Sequence, residues 1–248
     1  MEIITLEEGL KVFHFNKEAK GEIVSYNIVV IEDGKKCFII DTAFRRHFKL
    51  LHNHLKLHGK KITHAAITHF HRDHIGGIPK IRDAKIYASD NAEVTLKKVF
   101  KENDYSQYLP TELVTEKTLQ FGKFKIDLIK NVGHSIDGLL IIINDKYLYV
   151  GDDMIYTLDG EELLPFASEG NIKAHLNSLR RIQSYGENKI IIPAHGPILK
   201  DKKYIIKDIQ NRTMYLKYKF QNPDKNHEDF YQETGIKFLG HEWYKNNV

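Results

Sequence analysis

The feature that most constrains the fold of this chain is a short apolar run that ends in a dense cluster of histidine and aspartate. The run extends from Ile62 to Thr68, and residues 67–77 read Ile-Thr-His-Phe-His-Arg-Asp-His-Ile-Gly-Gly. The run predicts a buried strand, and the paired glycines at the end of the cluster predict a loop. Sites in α/β proteins usually lie on loops that follow buried strands. The chain is therefore expected to build a sheet whose edge carries the cluster.

The cluster itself predicts a metal site. It consists of His69, His71, Asp73 and His74. Neutral imidazole nitrogens and carboxylate oxygens are ligands that Zn²⁺, Fe²⁺ and Mn²⁺ accept readily. Burying these four side chains without a metal would leave polar groups without partners. Four ligands so close in sequence suit two neighbouring ions better than one.

Two metals need more donors, and three residues further along the chain have the right context. His134, Asp152 and His195 each follow a strand-like segment and have a glycine beside them. Taken singly, each could equally be an ordinary core or surface residue. Because each follows a predicted strand, the three are expected at the same rim of a sheet as the cluster.

In this order the motifs resemble those of the metallo-β-lactamase-fold hydrolase superfamily, in its glyoxalase II and lactonase-like branch. The resemblance extends from about Ile39 to Pro197, and Asp41 in Ile-Ile-Asp-Thr is similar to the first, non-ligating motif. It implies an α/β fold, the four-layer αββα sandwich, over a single domain of residues 1–248. Periodicity alone predicts only a mixed α/β protein.

The resemblance also implies two divalent metal ions per chain, zinc first, with iron or manganese as alternatives. Asp41 would orient a ligand imidazole through its free N–H. The implied ligands are His69, His71 and His134 for one metal, Asp73, His74 and His195 for the other, and Asp152 as a bridge between them.

Three residues are implied to be catalytic, namely Asp73, Asp152 and Tyr156. Quorum-quenching lactonases of the family place a tyrosine shortly after the bridging aspartate, aimed at the substrate carbonyl. Tyr156 lies one position further from Asp152 than the resemblance predicts. Ordinary packing of its ring is the alternative interpretation.

The implied activity is that of a dinuclear metal-dependent hydrolase, in which a hydroxide that bridges the metals attacks a small ester-like carbonyl: a lactone, a thioester or an ester. A phosphodiesterase-type hydrolase and a non-catalytic metal-binding scaffold are the alternatives. True β-lactamases often use a thiol beside the second metal, whereas the only cysteine, Cys37, lies far upstream. Glutathione-binding glyoxalase II enzymes use a helical C-terminal domain, for which the residues after His195 are too few.

Composition fits a soluble globular enzyme that acts on a small-molecule substrate. The 248 residues are 42% hydrophobic and 28% charged, with a net charge of +4 and no basic stripe, so neither nucleic acid nor membrane is an expected partner. The first residues lack the pattern of a signal peptide, and a single cysteine suits a reducing compartment, so we expect a cytoplasmic protein. The oligomeric state is left open, a homodimer being one alternative.

Local patterns predict the order of the elements. His54 and His58 fall on one helix face, which we interpret as solvated rather than as a metal site. Residues 102–118 are interpreted as an irregular insertion on the substrate side, and residues 221–248 as a tail packed against the body or a partner. The predicted elements are hairpins at 3–15 and 23–41, helices at 45–58, 90–101, 172–185 and 201–219, and strands at 62–68, 85–89, 119–130, 138–144, 146–150 and 189–193.

Overall fold

The computed structural model describes residues 1–16, 23–101, 103–166 and 171–239, and within them the strands form two sheets. The first sheet contains seven strands in chain order: β1 (Glu2–Glu7), β2 (Leu10–Phe15), β3 (Tyr26–Asp33), β4 (Lys36–Ile40), β5 (Lys61–Ala66), β6 (Lys85–Ser89) and β7 (Glu112–Val114). The second sheet contains five: β8 (Glu116–Phe121), β9 (Phe124–Lys130), β10 (Leu139–Ile143), β11 (Tyr147–Gly151) and β12 (Ile190–Pro193).

Strand direction brings the functional loops to one edge. β1 to β4 pair antiparallel, and β4 to β7 pair parallel. In the second sheet β8 to β11 pair antiparallel, and β12 lies parallel to β11. The backbone N–H of Leu139 donates to the carbonyl of Thr68 at 2.8 Å, which joins the two sheets next to the end of β5. The loops after β5, β9, β11 and β12 can therefore meet at this edge.

The alternation of residues along β3 shows how the layers form. Ile28 and Val30 belong to a core on the outer side of the first sheet, whereas Val29 and Ile31 belong to the core between the two sheets. All four side chains are fully buried. Because successive strand residues point to opposite faces, an apolar run of this kind requires cover on both sides.

Helices provide that cover. Phe48, Leu51 and Leu55 lie at helical spacing and pack on the outer face of the first sheet. Leu179 and Ile209 do the same on the outer face of the second sheet. The helices are α1 (Arg45–Leu57), α2 (Arg72–Ile75), α3 (Ala92–Phe100), α4 (Ile172–Gly186), α5 (Lys202–Gln221) and α6 (His227–Thr234). The resulting order of layers is helices, sheet, sheet, helices, which confirms the predicted αββα class.

Two predictions about the middle of the chain are wrong. The predicted single strand 119–130 is two strands, β8 and β9, which turn at Gly122, where φ is +56°. The supposedly irregular segment 102–118 contains β7, which pairs with β6 at the edge of the first sheet, and the start of β8. Glycine tolerates the left-handed backbone conformation that such a turn requires.

The described part of the C-terminal tail packs on the body, as one of the two interpretations expected. Phe230 and Phe238 are buried in the core that covers the second sheet. The remainder of the tail, residues 240–248, lies outside the described residues. In the part of the chain that the structure describes, no helix combines the length and apolar character needed to cross a membrane. That residues 1–248 form a single domain stays a prediction.

Candidate metal centre

The loop after β5 carries four of the candidate ligands in a fixed conformation. His69 and His71 follow the strand directly, and the single turn of α2 then carries Asp73 and His74. The backbone N–H of the buried Phe70 donates to a carboxylate oxygen of Asp137 at 2.9 Å. This bond ties the loop to the segment that follows β9 and carries His134.

The structure brings all seven predicted ligands together as two groups of buried side chains. Within each group the candidate ligand atoms lie within 4.8 Å of one another. The first group is His69, His71 and His134, and the second is Asp73, His74, Asp152 and His195. The resemblance implied the same groups except that it gave Asp152 to both metals, and the assignment of these residues as ligands stays a prediction.

The carboxylate of Asp152 lies between the two groups and faces both. Its Oδ2 lies 3.8 Å from Nε2 of His69 and 3.8 Å from Nε2 of His134. Its Oδ1 lies 3.3 Å from Nε2 of His74 and 3.3 Å from Nε2 of His195. With one oxygen toward each group, this carboxylate is placed to bridge two ions.

The donor atoms are arranged for binding metal ions and make few hydrogen bonds of good geometry with one another. Nδ1 of His71 lies 3.1 Å from Nε2 of His69 and 3.2 Å from Nε2 of His134, so three imidazole nitrogens converge on one region. Nε2 of His74 and Oδ1 of Asp152 are buried without a hydrogen bond of good geometry. Buried polar atoms are normally satisfied, so converging lone pairs of this kind indicate a cation site.

Electrostatics differ between the two groups. Burial lowers the pKa of His69 well below its usual range and that of His71 to about 3, so both are neutral and able to bind a metal. For His195, burial also opposes protonation, but the carboxylates of Asp152 and Asp73 outweigh it and raise its pKa to about 9. The second group therefore attracts positive charge.

Hydrogen bonds behind the imidazoles fix which nitrogen faces the cluster. Nδ1 of His134 donates to the carbonyl of Phe166 at 2.9 Å, and Nδ1 of His195 donates to the carbonyl of Ser25 at 2.8 Å. With Nδ1 occupied in this way, Nε2 is left as the lone-pair donor. The backbone thus selects the tautomer that a metal requires.

Asp41 performs the same task for the second group, in the position expected for the first motif. Its Oδ2 accepts a hydrogen bond from Nδ1 of His74 at 3.0 Å. The same carboxylate accepts from the backbone N–H and the hydroxyl of Thr68, each at 2.7 Å, and from the hydroxyl of Tyr149 at 3.1 Å. Asp41 therefore connects a candidate ligand to both sheets.

Asp153 is a supporting residue that the sequence reasoning missed. Its Oδ1 accepts from the backbone N–H of His134 at 2.9 Å, and its Oδ2 accepts from Nδ2 of Asn131 at 2.8 Å. A Cβ at Gly133 would lie 2.1 Å from Oδ1 of Asp153, so only glycine permits this approach. The adjacent pair Asp152-Asp153 is the sequence feature that could have indicated it, since one carboxylate faces the candidate ligands and the next holds the loop that carries His134.

The structure does not bring Tyr156 to the cluster, and its predicted catalytic role is corrected. Its buried hydroxyl donates to Oδ2 of Asp208, whose Oδ1 accepts from Nε of Arg212 at 2.8 Å. Arg212 also donates to the carbonyls of Leu163 and Ile155, each at 3.0 Å. The ring is part of the core under the second sheet, so packing is the correct interpretation.

Tyr26 is the tyrosine that the structure places at the cluster. Its ring packs edge-on against His195, with 5.0 Å between centroids, and lies 4.4 Å from the ring of His47. Burial, with a smaller contribution from the carboxylates of Asp73 and Asp152, raises the pKa of Tyr26 above its usual range. No motif marks Tyr26 in the sequence.

Comparison with known proteins gives a consistent result. The family model described as the metallo-beta-lactamase superfamily matches residues 22–195. Hydroxyacylglutathione hydrolase of Haemophilus ducreyi is 26% identical over 193 residues, which cover 75% of this chain and 72% of that protein. Metallo-beta-lactamase type 2 of Bacillus cereus is 25% identical over 187 residues, which cover 72% and 70%.

Solved structures show the same similarity. The DIM-1 metallo-beta-lactamase exposed to ceftazidime superposes with a TM-score of 0.67 at 25% identity, covering 88% of this chain and 96% of that one. A metallo-beta-lactamase from Pontibacter korlensis gives a TM-score of 0.70 at 18% identity, covering 85% and 99%, and shares the fold.

Proposed function

The chain belongs to the metallo-beta-lactamase superfamily and is a metal-dependent hydrolase, and from this premise we propose that it hydrolyses a small ester-like carbonyl compound: a lactone, a thioester or an ester. The observation that carries the proposal is the carboxylate of Asp152 between two groups of buried donors, with one oxygen toward each. A relative named hydroxyacylglutathione hydrolase supports acyl chemistry.

We propose that the seven clustered residues hold two divalent ions, with zinc as the first expectation and iron or manganese as alternatives. Imidazole and carboxylate donors suit all three. Bound there, such ions lower the pKa of a water molecule and polarise a carbonyl oxygen. The neutral imidazoles of His69 and His71 supply lone pairs, and the carboxylates of Asp73 and Asp152 supply negative charge that balances the cations.

Within this site we assign the carboxylates of Asp73 and Asp152 to holding the attacking water. Oδ2 of Asp73 lies 3.3 Å from Nε2 of His195, and the neighbouring imidazoles, against the effect of burial, hold the pKa of Asp152 well below its usual range. Both carboxylates therefore remain ionised and accept hydrogen bonds. An acceptor fixed in this way directs the lone pair of the water toward the substrate.

Tyr26 is proposed as the hydrogen-bond donor to the substrate carbonyl, in place of Tyr156. Its ring packs edge-on against His195, a candidate ligand, and lies beside the ring of His47. A raised pKa keeps the hydroxyl protonated, as a donor must be. A donor aimed at the developing oxyanion stabilises the transition state more than the ground state.

The test is turnover of four substrates: an ester and a phosphodiester that release p-nitrophenol, a thioester whose released thiol is titrated, and a lactone whose ring opening is followed by the proton released. Purified metal-replete protein should hydrolyse at least one carbonyl substrate much faster than the phosphodiester. The matched control is His69→Ala, which removes one donor of the first group. Faster turnover of the phosphodiester would favour the phosphodiesterase alternative, and no turnover of any substrate by metal-loaded protein would favour the scaffold.

A further inference from the structure

The loop that carries His195, directly after β12, is held in place by Asn27 at the start of β3. Nδ2 of Asn27 donates to the carbonyl of Pro193 at 2.8 Å and to the carbonyl of Gly196 at 2.9 Å. The backbone N–H of Asn27 donates to the carbonyl of Ala194 at 2.8 Å. One residue therefore binds the backbone both before and after His195.

The orientation of the Asn27 side chain is fixed by its partners. Because both hydrogens of Nδ2 point to backbone carbonyls, Oδ1 is left as the acceptor, and Nδ1 of His14 donates to it at 2.8 Å. Asn27 is only 2% exposed, so its polar atoms depend on these bonds. An aspartate would have the same shape here but no hydrogen to donate to the two carbonyls.

Ser25 holds the same loop two residues earlier in the chain. Its hydroxyl accepts from the backbone N–H of Gly196 at 2.9 Å, and its carbonyl accepts from Nδ1 of His195 at 2.8 Å. On the other side of the loop, a Cβ at Gly196 would lie 2.4 Å from that of Tyr156. The loop is thus enclosed between residues 25–27 and Tyr156, which leaves His195 little room to shift.

The hydroxyl of Tyr149 connects Asn27 to the support of another imidazole of the second group. It lies 2.9 Å from the carbonyl of Asn27 and 3.1 Å from Oδ2 of Asp41. The same oxygen of Asp41 accepts from Nδ1 of His74. Tyr149 is fully buried. The supports of His195 and His74 are therefore parts of one hydrogen-bond network inside the fold.

The first group is held by different residues. The backbone N–H of Phe70 donates to Asp137, and the backbone N–H of His134 donates to Asp153. The two groups should therefore respond separately to changes in the residues that support them.

We propose that Asn27 is a positioning residue for the second group: through the backbone on either side of His195, it sets how tightly this group binds a divalent ion. The residues behind a metal ligand commonly change metal affinity by about 10–100-fold when they are replaced. This proposal rests on the proposed function, because it requires one ion in each group.

The experiment is a titration of metal-free protein with Co²⁺, whose visible absorption changes with the ligands around the bound ion. The variant is Asn27→Asp, which keeps the size of the side chain and loses the two bonds to the loop. The second group should bind Co²⁺ about 10–100-fold more weakly, and the first group should bind it as in wild type. The matched control is Asn53→Asp, which adds the same charge at an exposed position of α1 and should change neither affinity.

A thermodynamic cycle assigns the effect to His195. In the His69→Ala background, which disables the first group, Asn27→Asp should weaken binding of the remaining ion by the same factor. In the His195→Ala background it should cause no further loss, because the ligand that Asn27 positions has been removed. An equal loss in both backgrounds would show a general structural role and overturn the proposal.

If Asn27→Asp does not fold, Ser25→Ala gives a milder test, because it removes only the acceptor for the N–H of Gly196. Its second group should bind Co²⁺ more weakly than wild type, by a smaller factor. Unchanged affinities in the folded variants would overturn the proposal and leave the proposed function intact. Binding of fewer than two Co²⁺ ions by wild-type protein would overturn the ion pair on which both proposals rest.

Discussion

Two buried polar clusters in this protein differ in how their polar atoms find partners. Tyr156, Asp208 and Arg212 bond to one another and to backbone carbonyls, so this network is satisfied internally. The metal centre instead leaves donor atoms that converge without good hydrogen bonds, such as Nε2 of His74 and Oδ1 of Asp152. Both clusters are removed from water at a cost. The difference indicates that one cluster is structural and that the other is completed by cations.

The largest effect is expected from replacing Asp152, whose carboxylate faces both groups of candidate ligands. Asp152→Asn should reduce bound metal from about two equivalents to one or less, because an amide carries no charge for either group. Activity should fall by orders of magnitude. Elemental analysis and steady-state kinetics on the folded variant are the measurements. Two equivalents with an unchanged rate would contradict the bridging role.

A change in the cluster of Tyr156, Asp208 and Arg212 should alter the stability of the protein. Arg212→Met leaves the buried carboxylate of Asp208 without its ion pair, so the free energy of unfolding should fall by about 3–5 kcal/mol. Metal content of the folded fraction should not change. Urea denaturation measures the loss, and Arg180→Met, at an exposed arginine of α4, is the matched control. A loss below about 1 kcal/mol would show that the network is not needed.

A variant of Tyr26 tests whether this tyrosine takes part in catalysis. Tyr26→Phe should lower kcat by about 10²–10³-fold, since it removes a donor to the oxyanion but keeps the ring against His195. Metal content and the unfolding free energy should stay close to wild type. An unchanged kcat on the preferred substrate would mean that the tyrosine only positions His195 by packing.

A smaller, pH-dependent effect is expected at His175, which supports Asp153 from α4. Burial lowers its pKa from 6.5 to about 3, so the folded state keeps it neutral. The unfolded state takes up a proton below about pH 6.5, so stability is present above that pH and lost between it and about pH 3. At pH 5 the loss is about 2 kcal/mol. His175→Gln should flatten this slope in chemical denaturation, whereas His58→Gln, at an exposed position, should not.

The smallest effect is expected for Tyr156, in contrast to Tyr26. Tyr156→Phe removes one hydrogen bond to Asp208 and should cost about 1–2 kcal/mol of stability. Its kcat per metal-loaded molecule should match wild type, because the hydroxyl does not reach the cluster. A loss of kcat without a loss of stability would restore the catalytic role that the structure argues against.

The residues that the sequence could identify share one property. His69, His134, Asp152 and His195 each follow a strand, and strand ends meet at one edge of the fold, so local pattern and family resemblance were enough to predict that they lie together. The order of the layers was implied by the family resemblance alone, since periodicity predicts only a mixed α/β protein. The structure supplies the physical reason for that order: the continuous burial along β3 requires cover on both faces of the first sheet.

What could not be predicted depends on contacts distant in sequence. The prediction for Tyr156 was wrong because its spacing from Asp152 along the chain does not determine where its side chain points. The side chain is oriented by its hydrogen bond to Asp208, which pairs with Arg212 one turn further along α5. Tyr26 was missed because it reaches the site only when the start of β3 meets the segment after β12, where Asn27 donates to the carbonyl of Ala194 at 2.8 Å. Zinc, cytoplasmic location and the absence of nucleic-acid partners stay predictions, and a homodimer stays one alternative for the oligomeric state.

Asp41 has a consequence for folding as well as for the site. Its carboxylate receives bonds from Thr68 and His74 on the side of the first sheet and from Tyr149 in the second. Packing of the two sheets and orientation of His74 therefore depend on the same carboxylate, and an ion that binds only the folded form stabilises it by mass action. Substitutions between the sheets, remote from any ligand, will then alter metal affinity, and metal supply in the cell will set how much of the protein survives proteolysis.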